Sequence, residues 1–384
     1  MRLTARRLNR ATLQRQMLLG REPLGVVDAV RRVVALQAQQ AASPYLALWN
    51  RLTAFDPAEL DAAFADHAIV KATLIRITLH AVAAEDHRVF HAAMVPSLRA
   101  ARLGDRRFTS TGLSIADADA LVPHVLQFAA ALPRTNAEVE ALLAERIGEP
   151  RPRVWWALRT FAPLVHAPTG GPWSFGPRPS YLAARTEPST VDHEESVRRL
   201  VRRYLAAFGP ATAADVAQFT FLTRAKARDA LRALAGELRC VEGPGGVELF
   251  DVPGAPLPAE DTPAPPRLMA MWDSVLLAYS DRGRVIPPDY RKLVIRNNGD
   301  VLPTLLVDGY VAGVWRAVDG GIEATAFHPL PGEAWRGLAA EARALVAFLA
   351  DREPTVYRRY HHWWATLPCA ESRVLPGQAS PGCR

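Results

Sequence analysis

The chain has 384 residues, 49% of them hydrophobic, and a formal net charge of +7. That length and apolar content exclude global disorder and leave room for two or three domains or one large composite one. Only three of the 46 basic residues are lysine (Lys71, Lys226 and Lys292), so planar arginine forks suited to phosphate carry the charge, and three cysteines without a CxxC exclude a disulfide framework or a zinc site.

In chain order, "RATLQRQML" and "PLGVVDAVRRVVAL" space apolar residues by three and four, which predicts helices. "SPYLALWNRL" and "DPAELDAAFAD" open on Ser-Pro and Asp-Pro, good helix starts. "AIVKATLIRITLHAVA" is β-branched and partly alternating, which predicts a two-stranded ribbon, and the helix "AEDHRVFHAAMVPSLRAARL" closes a first unit over 1–105. A second unit, 106–188, has helical patterns in "SIADADALVPHVLQFAAAL", "TNAEVEALLAERI" and "RVWWALRTFAPLVHA", then a Pro/Gly-rich ribbon in "PWSFGPRPSYLAA". A third, 189–252, has three helical stretches and a hairpin around Gly-Pro-Gly-Gly in "LRCVEGPGGVELFDV". Helix, helix, helix, ribbon is the order of a winged helix, so an α+β chain of tandem winged-helix units is expected. After a Pro-rich connector, 267–366 reads as a β-rich domain: "RLMAMWDSVLLAYS", "KLVIRNNGDVLPTLLVDGYVAGVWR" and "GIEATAFHPL" are strand-like, and the helix "GEAWRGLAAEARALVAFLAD" follows. Residues 367–384 are expected to form a disordered tail. With no signal-peptide pattern in "MRLTARRLNR" and no run long enough to span a membrane, a soluble, cytoplasmic, nucleoid-associated monomer without cofactor is expected.

Three uncharged amides, Gln37, Gln39 and Gln40, follow the second apolar helix. Gln37 continues that helix's apolar face, where a buried amide needs partners or costs roughly 1–3 kcal/mol. Residues two apart diverge by about 200° on a helix but converge on an extended segment. The residues alone allow two readings, a solvated helix end or a pair of amides aimed at a substrate. "IRNNGDVLPTLLVDGYVAG" predicts strand, Asn-Gly turn, strand, Asp-Gly turn, strand. Its first tip holds Arg296, Asn297 and Asn298, with Arg291 and Lys292 just before it. Such a tip could enter a DNA groove or be ordinary turn chemistry. "SVRRLVRRYLAAF" carries Arg198, Arg199, Arg202 and Arg203, either a stripe for phosphates or a solvated face. No histidine has metal-ligand spacing with carboxylates, and there is no GxGxxG, P-loop or GxSxG, so no metal site is assigned.

Four stretches together resemble the AlkZ/YcaQ group of winged-helix DNA glycosylases: "LQAQ", "ATLIRITLHAVAAEDH", "DSVLLAYSDRGRVIPPDYRK" and "LLVDGYVAGVWR". The resemblance covers roughly residues 1–350. It implies tandem winged helices in a C-shaped arrangement around a basic channel, with a C-terminal β domain. It also implies hydrolysis of the N-glycosidic bond of purines alkylated at N7 or N3 in double-stranded DNA. The signature of the group is Gln, an apolar residue, then Gln or Asp; here it is Gln37-Ala38-Gln39, the Gln-Gln form that goes with unhooking azinomycin-type interstrand crosslinks as self-resistance. The same resemblance makes Gln37 and Gln39 catalytic, and the first-tip residues Arg291, Lys292, Arg296, Asn297 and Asn298 DNA-binding. A winged-helix transcriptional regulator is the alternative that basic charge and helix order alone allow. The discriminating feature is the Gln-x-Gln pair, which a regulator does not need.

Overall fold

The computed structural model describes residues 2–185 and 192–375. The expected boundary at 188/189 lies outside the described residues, as does the end of the expected tail, 376–384. Three sheets organise the described residues. The first has six strands: β1 (Leu36–Gln37), β2 (Ile69–Thr73), β3 (Leu79–Ala83), β4 (Arg134–Thr135), β5 (Leu164–Ala167) and β6 (Ser180–Ala183), in the order β1-β3-β2-β5-β6-β4. The second is the two-stranded ribbon β7 (Arg239–Glu242) and β8 (Glu248–Asp251). The third holds β9 (Arg267–Leu268), β10 (Thr304–Val307), β11 (Tyr310–Val318), β12 (Gly321–Ala326) and β13 (Glu371–Leu375), in the order β13-β12-β11-β10-β9.

Local chemistry accounts for many of these elements. The β2–β3 ribbon forms where β-branched residues predict it, with Val70 opposite Val82 and Ile69 opposite Ala83. Ser-Pro and Asp-Pro start helices at Ser43–Trp49 and Pro57–Ala65, and the Asp56 side chain caps the second by accepting from the Ala58 amide. Thr135 and Thr212 head capping boxes with Glu138 and Asp215. Three helices, His193–Phe208, Ala213–Thr220 and Arg224–Ala233, precede the β7–β8 ribbon in the expected order. Asp308 and Gly309 both take positive φ, the turn that joins β10 to β11. A Cβ on Gly309 would stand 2.5 Å from Asn9 Oδ1, so this turn also packs directly on the first helix.

Long-range pairing overrides the sequence expectations in several places. The second helix ends at Arg32, not at Leu36; Val34 takes φ 73° and the chain becomes extended, because Leu36 and Gln37 complete a ladder with Ala81 and His80. "LVHA", expected as helix, is β5; it pairs with β6, and β5 also pairs with β2. The ribbons expected for the first two units thus share one sheet. Of "PWSFGPRPSYLAA" only Ser180–Ala183 is a strand. "RLMAMWDSVLLAYS" holds two strand residues, then bends at Trp272 (φ 54°) into a short 3-10 turn, Ser274–Leu276, capped by Asp273. The tail expected from 367 is wrong for its first part: Glu371–Leu375 is the edge strand β13, in register with β12 from Ile322 to Ala326. The cause is that β12 would otherwise expose an unpaired edge.

Buried ion pairs tie distant segments together. Arg51 makes a two-pronged pair with Asp273 at 2.7 and 2.8 Å, and Arg15 does the same with Asp251. All four side chains are almost completely enclosed. The arginine stripe on His193–Phe208 is neither free nor merely solvated. Arg198 and Arg199 pair with Glu195, Arg202 with Glu237, and Arg203 with Asp86. No helix is long and apolar enough to cross a membrane among the described residues.

Candidate active site

The glutamine motif lies at the free edge of the six-stranded sheet. In an extended chain, side chains two apart point the same way. Gln37, 3% exposed, is held in β1, and Gln39 is exposed just past its end, where the chain bends. The two side chains meet. Gln37 Nε2 donates to Gln39 Oε1, and the Gln39 backbone N–H donates to Gln37 Oε1 at 3.1 Å. The helix-end geometry, in which the amides diverge, does not occur. The linked amides leave the Gln39 NH2 and part of each oxygen's acceptor capacity free for another group.

Gln39 and Gln40 border a cleft of about 750 Å³. It is lined by Lys71, Thr73 and Leu79 from the β2–β3 ribbon, by His166 from β5, and by the aromatic residues Trp156, Trp173, Phe175 and Tyr181. Lys71, Arg102, Arg159 and Arg359 reach it, and none pairs with a carboxylate among the described residues. The Lys71 ammonium lies 4.4 Å from the Phe175 ring centroid, and burial lowers its pKa to about 8. Burial, with the Lys71 and Arg159 charges, lowers that of His166 to about 3, so this ring is neutral. Aromatic walls and unpaired cations suit bases and phosphates. Composition pointed to arginine, but nothing local marked Lys71, a lone lysine inside an apolar strand, as a cleft residue.

Directly across from Gln37 in the ladder stands His80, out of phase with the cleft-lining Leu79. It is fully buried and its pKa is lowered to about 3, first by burial and then by Arg76. Nδ1 lies 3.0 Å from the Thr78 carbonyl, which makes Nδ1 the N–H donor and leaves Nε2 as an acceptor facing Arg76 at 3.5 Å.

The first-tip residues are elsewhere, and they do not form the expected hairpin. Arg291–Val294 is a helical turn, and only the bridge between Ile295 and Val301 flanks the Asn298-Gly299 turn. The reason is local: Asn298 accepts from the Asp300 N–H and donates to its carboxylate, closing a tight loop. Arg291, Lys292, Asn297 and Asn298 are exposed. Arg296 stacks on Trp363 at 4.3 Å and donates to Thr366 at 3.1 Å. A chain of contacts connects this loop to the glutamines. Gln40 donates to the Tyr360 hydroxyl at 2.7 Å, Tyr360 packs edge-on against Trp272, and Trp272 donates to the Gly299 carbonyl at 2.9 Å. Gln40 is thus the first link.

Comparison with known proteins gives the family and the fold. Residues 30–348 match the family described as DNA glycosylase AlkZ-like. An interstrand DNA cross-link repair glycosylase of Streptomyces sahachiroi is 26% identical over 329 residues, covering 82% of this chain and 88% of that protein. The solved structure of the Streptomyces sahachiroi DNA glycosylase AlkZ superposes with a TM-score of 0.77 at 22% identity, over 90% of this chain and 96% of that one. At that identity the structural likeness concerns the fold.

Proposed function

The chain belongs to the AlkZ-like family of DNA glycosylases, and from that premise we propose that it excises purines alkylated at N7 or N3 from duplex DNA. We include the two ends of an interstrand crosslink, the damage named for its Streptomyces sahachiroi relative. Family membership sets aside the transcriptional-regulator alternative. The observation that carries the substrate reading is the coupled amide pair, Gln37 enclosed and Gln39 exposed at the border of the cleft.

The chemistry fits two amides. A purine alkylated at N7 or N3 is cationic and leaves without a strong general acid. What the site must do is hold a water against the sugar while oxocarbenium-like charge develops. Gln39 presents the amide, and Gln37 fixes its orientation. Neither side chain carries a charge that would activate a neutral, unmodified base, so the pair selects labile cationic lesions. A cleft open to solvent admits a bulky adduct without complete extrusion of the base.

The test is a duplex with one 7-methylguanine. The expected product is an abasic site that hot alkali cleaves; a protein that only binds DNA leaves the strand intact. Duplex binding is expected to show little sequence preference and to weaken steeply with salt, as contacts to phosphates require. Affinity unchanged between 50 and 200 mM salt (a range over which phosphate-bound proteins lose on the order of 10³–10⁵) removes the basic channel. We also retain Arg291, Lys292, Arg296, Asn297 and Asn298 as a DNA-contacting loop. Arg296→Ala is expected to weaken duplex binding severalfold, and excision in proportion. Because Arg296 also packs on Trp363, the melting temperature must stay near wild type for this to count; unchanged binding reduces the loop to a structural turn.

A further inference from the structure

One element order occurs three times along the chain. β1 is followed by the helices Ser43–Trp49 and Pro57–Ala65 and by the β2–β3 ribbon; β4 is followed by Asn136–Ile147, Pro152–Phe161 and the β5–β6 ribbon. The bridge from Ala211 to Phe250 is followed by Ala213–Thr220, Arg224–Ala233 and the β7–β8 ribbon. In helix-turn-helix order, the second of the two helices is the one that enters a DNA groove. The three helices in that place differ in charge and in cover.

Pro57–Ala65 carries Glu59 and Asp61 and no basic residue, with Asp56 and Asp66 at its ends. Phosphates repel such a helix. Pro152–Phe161 is covered. Ala84–Leu103 and Arg106–Thr109 pack across it, and Arg102 and Arg107 stack on Trp156 at 4.5 and 4.2 Å. Its exposed residues are only Pro152 and Arg153. Arg224–Ala233 is neither acidic nor covered. Ala227, Ala230 and Leu231 are buried where the helix packs on His193–Phe208. Arg224, Ala225, Arg228 and Arg232 are exposed, and their three- and four-residue spacing makes one stripe. Among the described residues Arg224 and Arg228 have no carboxylate partner, and Arg232 pairs only with Asp229 of the same helix. Phe221, 47% exposed, stands in the turn just before, at φ 65°.

We propose that Arg224–Ala233 is the helix that seats in the major groove of duplex DNA, with Arg224, Arg228 and Arg232 on the phosphates along its edges. The inference rests on the glycosylase reading for its partner. Charge and shape identify that partner: planar forks match phosphate oxygens, and the small Ala225 between them lets the helix sink toward the bases. No Asn or Gln stands on this face to read adenine, which fits binding with little sequence preference. The ribbon that follows takes no part, because Glu242 and Glu248 are exposed and face each other across it. The preceding helix is joined to the glutamine sheet: the Phe219 carbonyl accepts from Arg76, in the turn between β2 and β3, at 3.4 Å. That bond couples the groove contact to the frame of the amide pair.

The experiment measures binding to an undamaged duplex across about 50–200 mM salt, where each phosphate contact contributes roughly 0.9 to the slope of log affinity against log salt. The triple variant Arg224→Gln, Arg228→Gln, Arg232→Gln is expected to lose at least about tenfold in affinity and about two to three units of that slope, with an unchanged melting temperature. Arg153→Gln, Arg336→Gln, Arg343→Gln removes the same charge from exposed positions elsewhere and is expected to lose less than about threefold. Equal losses in the two triple variants reduce the stripe to net charge and overturn the proposal. A stripe variant that binds like wild type does so too. Ala225→Trp separates a seated helix from arginines that merely reach outward. It is expected to lose at least about fivefold, and wild-type binding overturns the seating. Excision of 7-methylguanine by saturating stripe variant should stay within about twofold of wild type, since the stripe binds and does not react. If wild type never excises 7-methylguanine, the glycosylase reading of the substrate has failed, and binding to the undamaged duplex still decides the helix.

Discussion

Gln39→Ala is expected to lower single-turnover excision of 7-methylguanine by on the order of 10²–10³, the cost of losing one preorganised contact at a transition state. Its amide is the exposed member of the pair and borders the cleft. Gln37→Ala removes the two hydrogen bonds that hold Gln39 in place and is expected to cost about 10²-fold, since a misplaced group loses most of its effect. Because both residues act through one contact, the double variant should be little worse than Gln39→Ala alone. Gln40→Ala breaks only the tie to Tyr360 and should cost less than about tenfold, a disordered loop edge rather than a lost contact to water. Gln39→Asp keeps an acceptor for the Gln37 amide on a side chain one methylene shorter and should retain activity. Saturating enzyme separates chemistry from DNA binding. A double variant with full activity ends the catalytic assignment.

Asp273→Ala is expected to destabilise the protein by about 3–5 kcal/mol, because it strands the Arg51 charge in an interior where both partners are only 1% exposed. Arg51 also donates to the Ala47 carbonyl at 2.9 Å, a bond too weak to offset a missing carboxylate. Asp273 additionally caps the turn at Val275, so one side chain secures both the joint between distant segments and the local bend. Replacing both partners, as in Arg51→Met with Asp273→Leu, removes the uncompensated charge and should recover stability relative to Asp273→Ala. Thermal unfolding followed by circular dichroism reads both variants. An Asp273→Ala protein that melts with wild type shows that solvent reaches Arg51.

Elements whose pairing is local were legible. The β2–β3 ribbon, the Gly-Pro-Gly-Gly hairpin and the Asp308-Gly309 turn each close within a few residues, so alternation and turn chemistry specify them. β1 was not legible. Two residues carry no period, and Val33-Val34-Ala35-Leu36 continues an apolar helical pattern until β3, some forty residues later, offers a ladder. β5 was hidden the same way behind the helix Pro152–Phe161. In the loop at Arg296, strand propensity pointed to a hairpin, and the Asn298–Asp300 bonds with the Trp272 and Trp363 indole contacts held a compact turn instead.

Residue types and motif resemblance were enough to determine the chemistry class: an arginine-rich chain with two amides, no metal-ligand spacing and no nucleophile motif. They singled out Gln37 and Gln39 as the candidate pair, though not how the two side chains meet. Convergence of the amides needs an extended backbone at β1, and only pairing with β3 imposes one. The same pairing puts His80 beside Gln37, and the β2–β3 turn brings Arg76 against His80. None of these neighbours can be read from local pattern, because side-chain period reports which face a residue occupies and not which distant strand or loop covers that face.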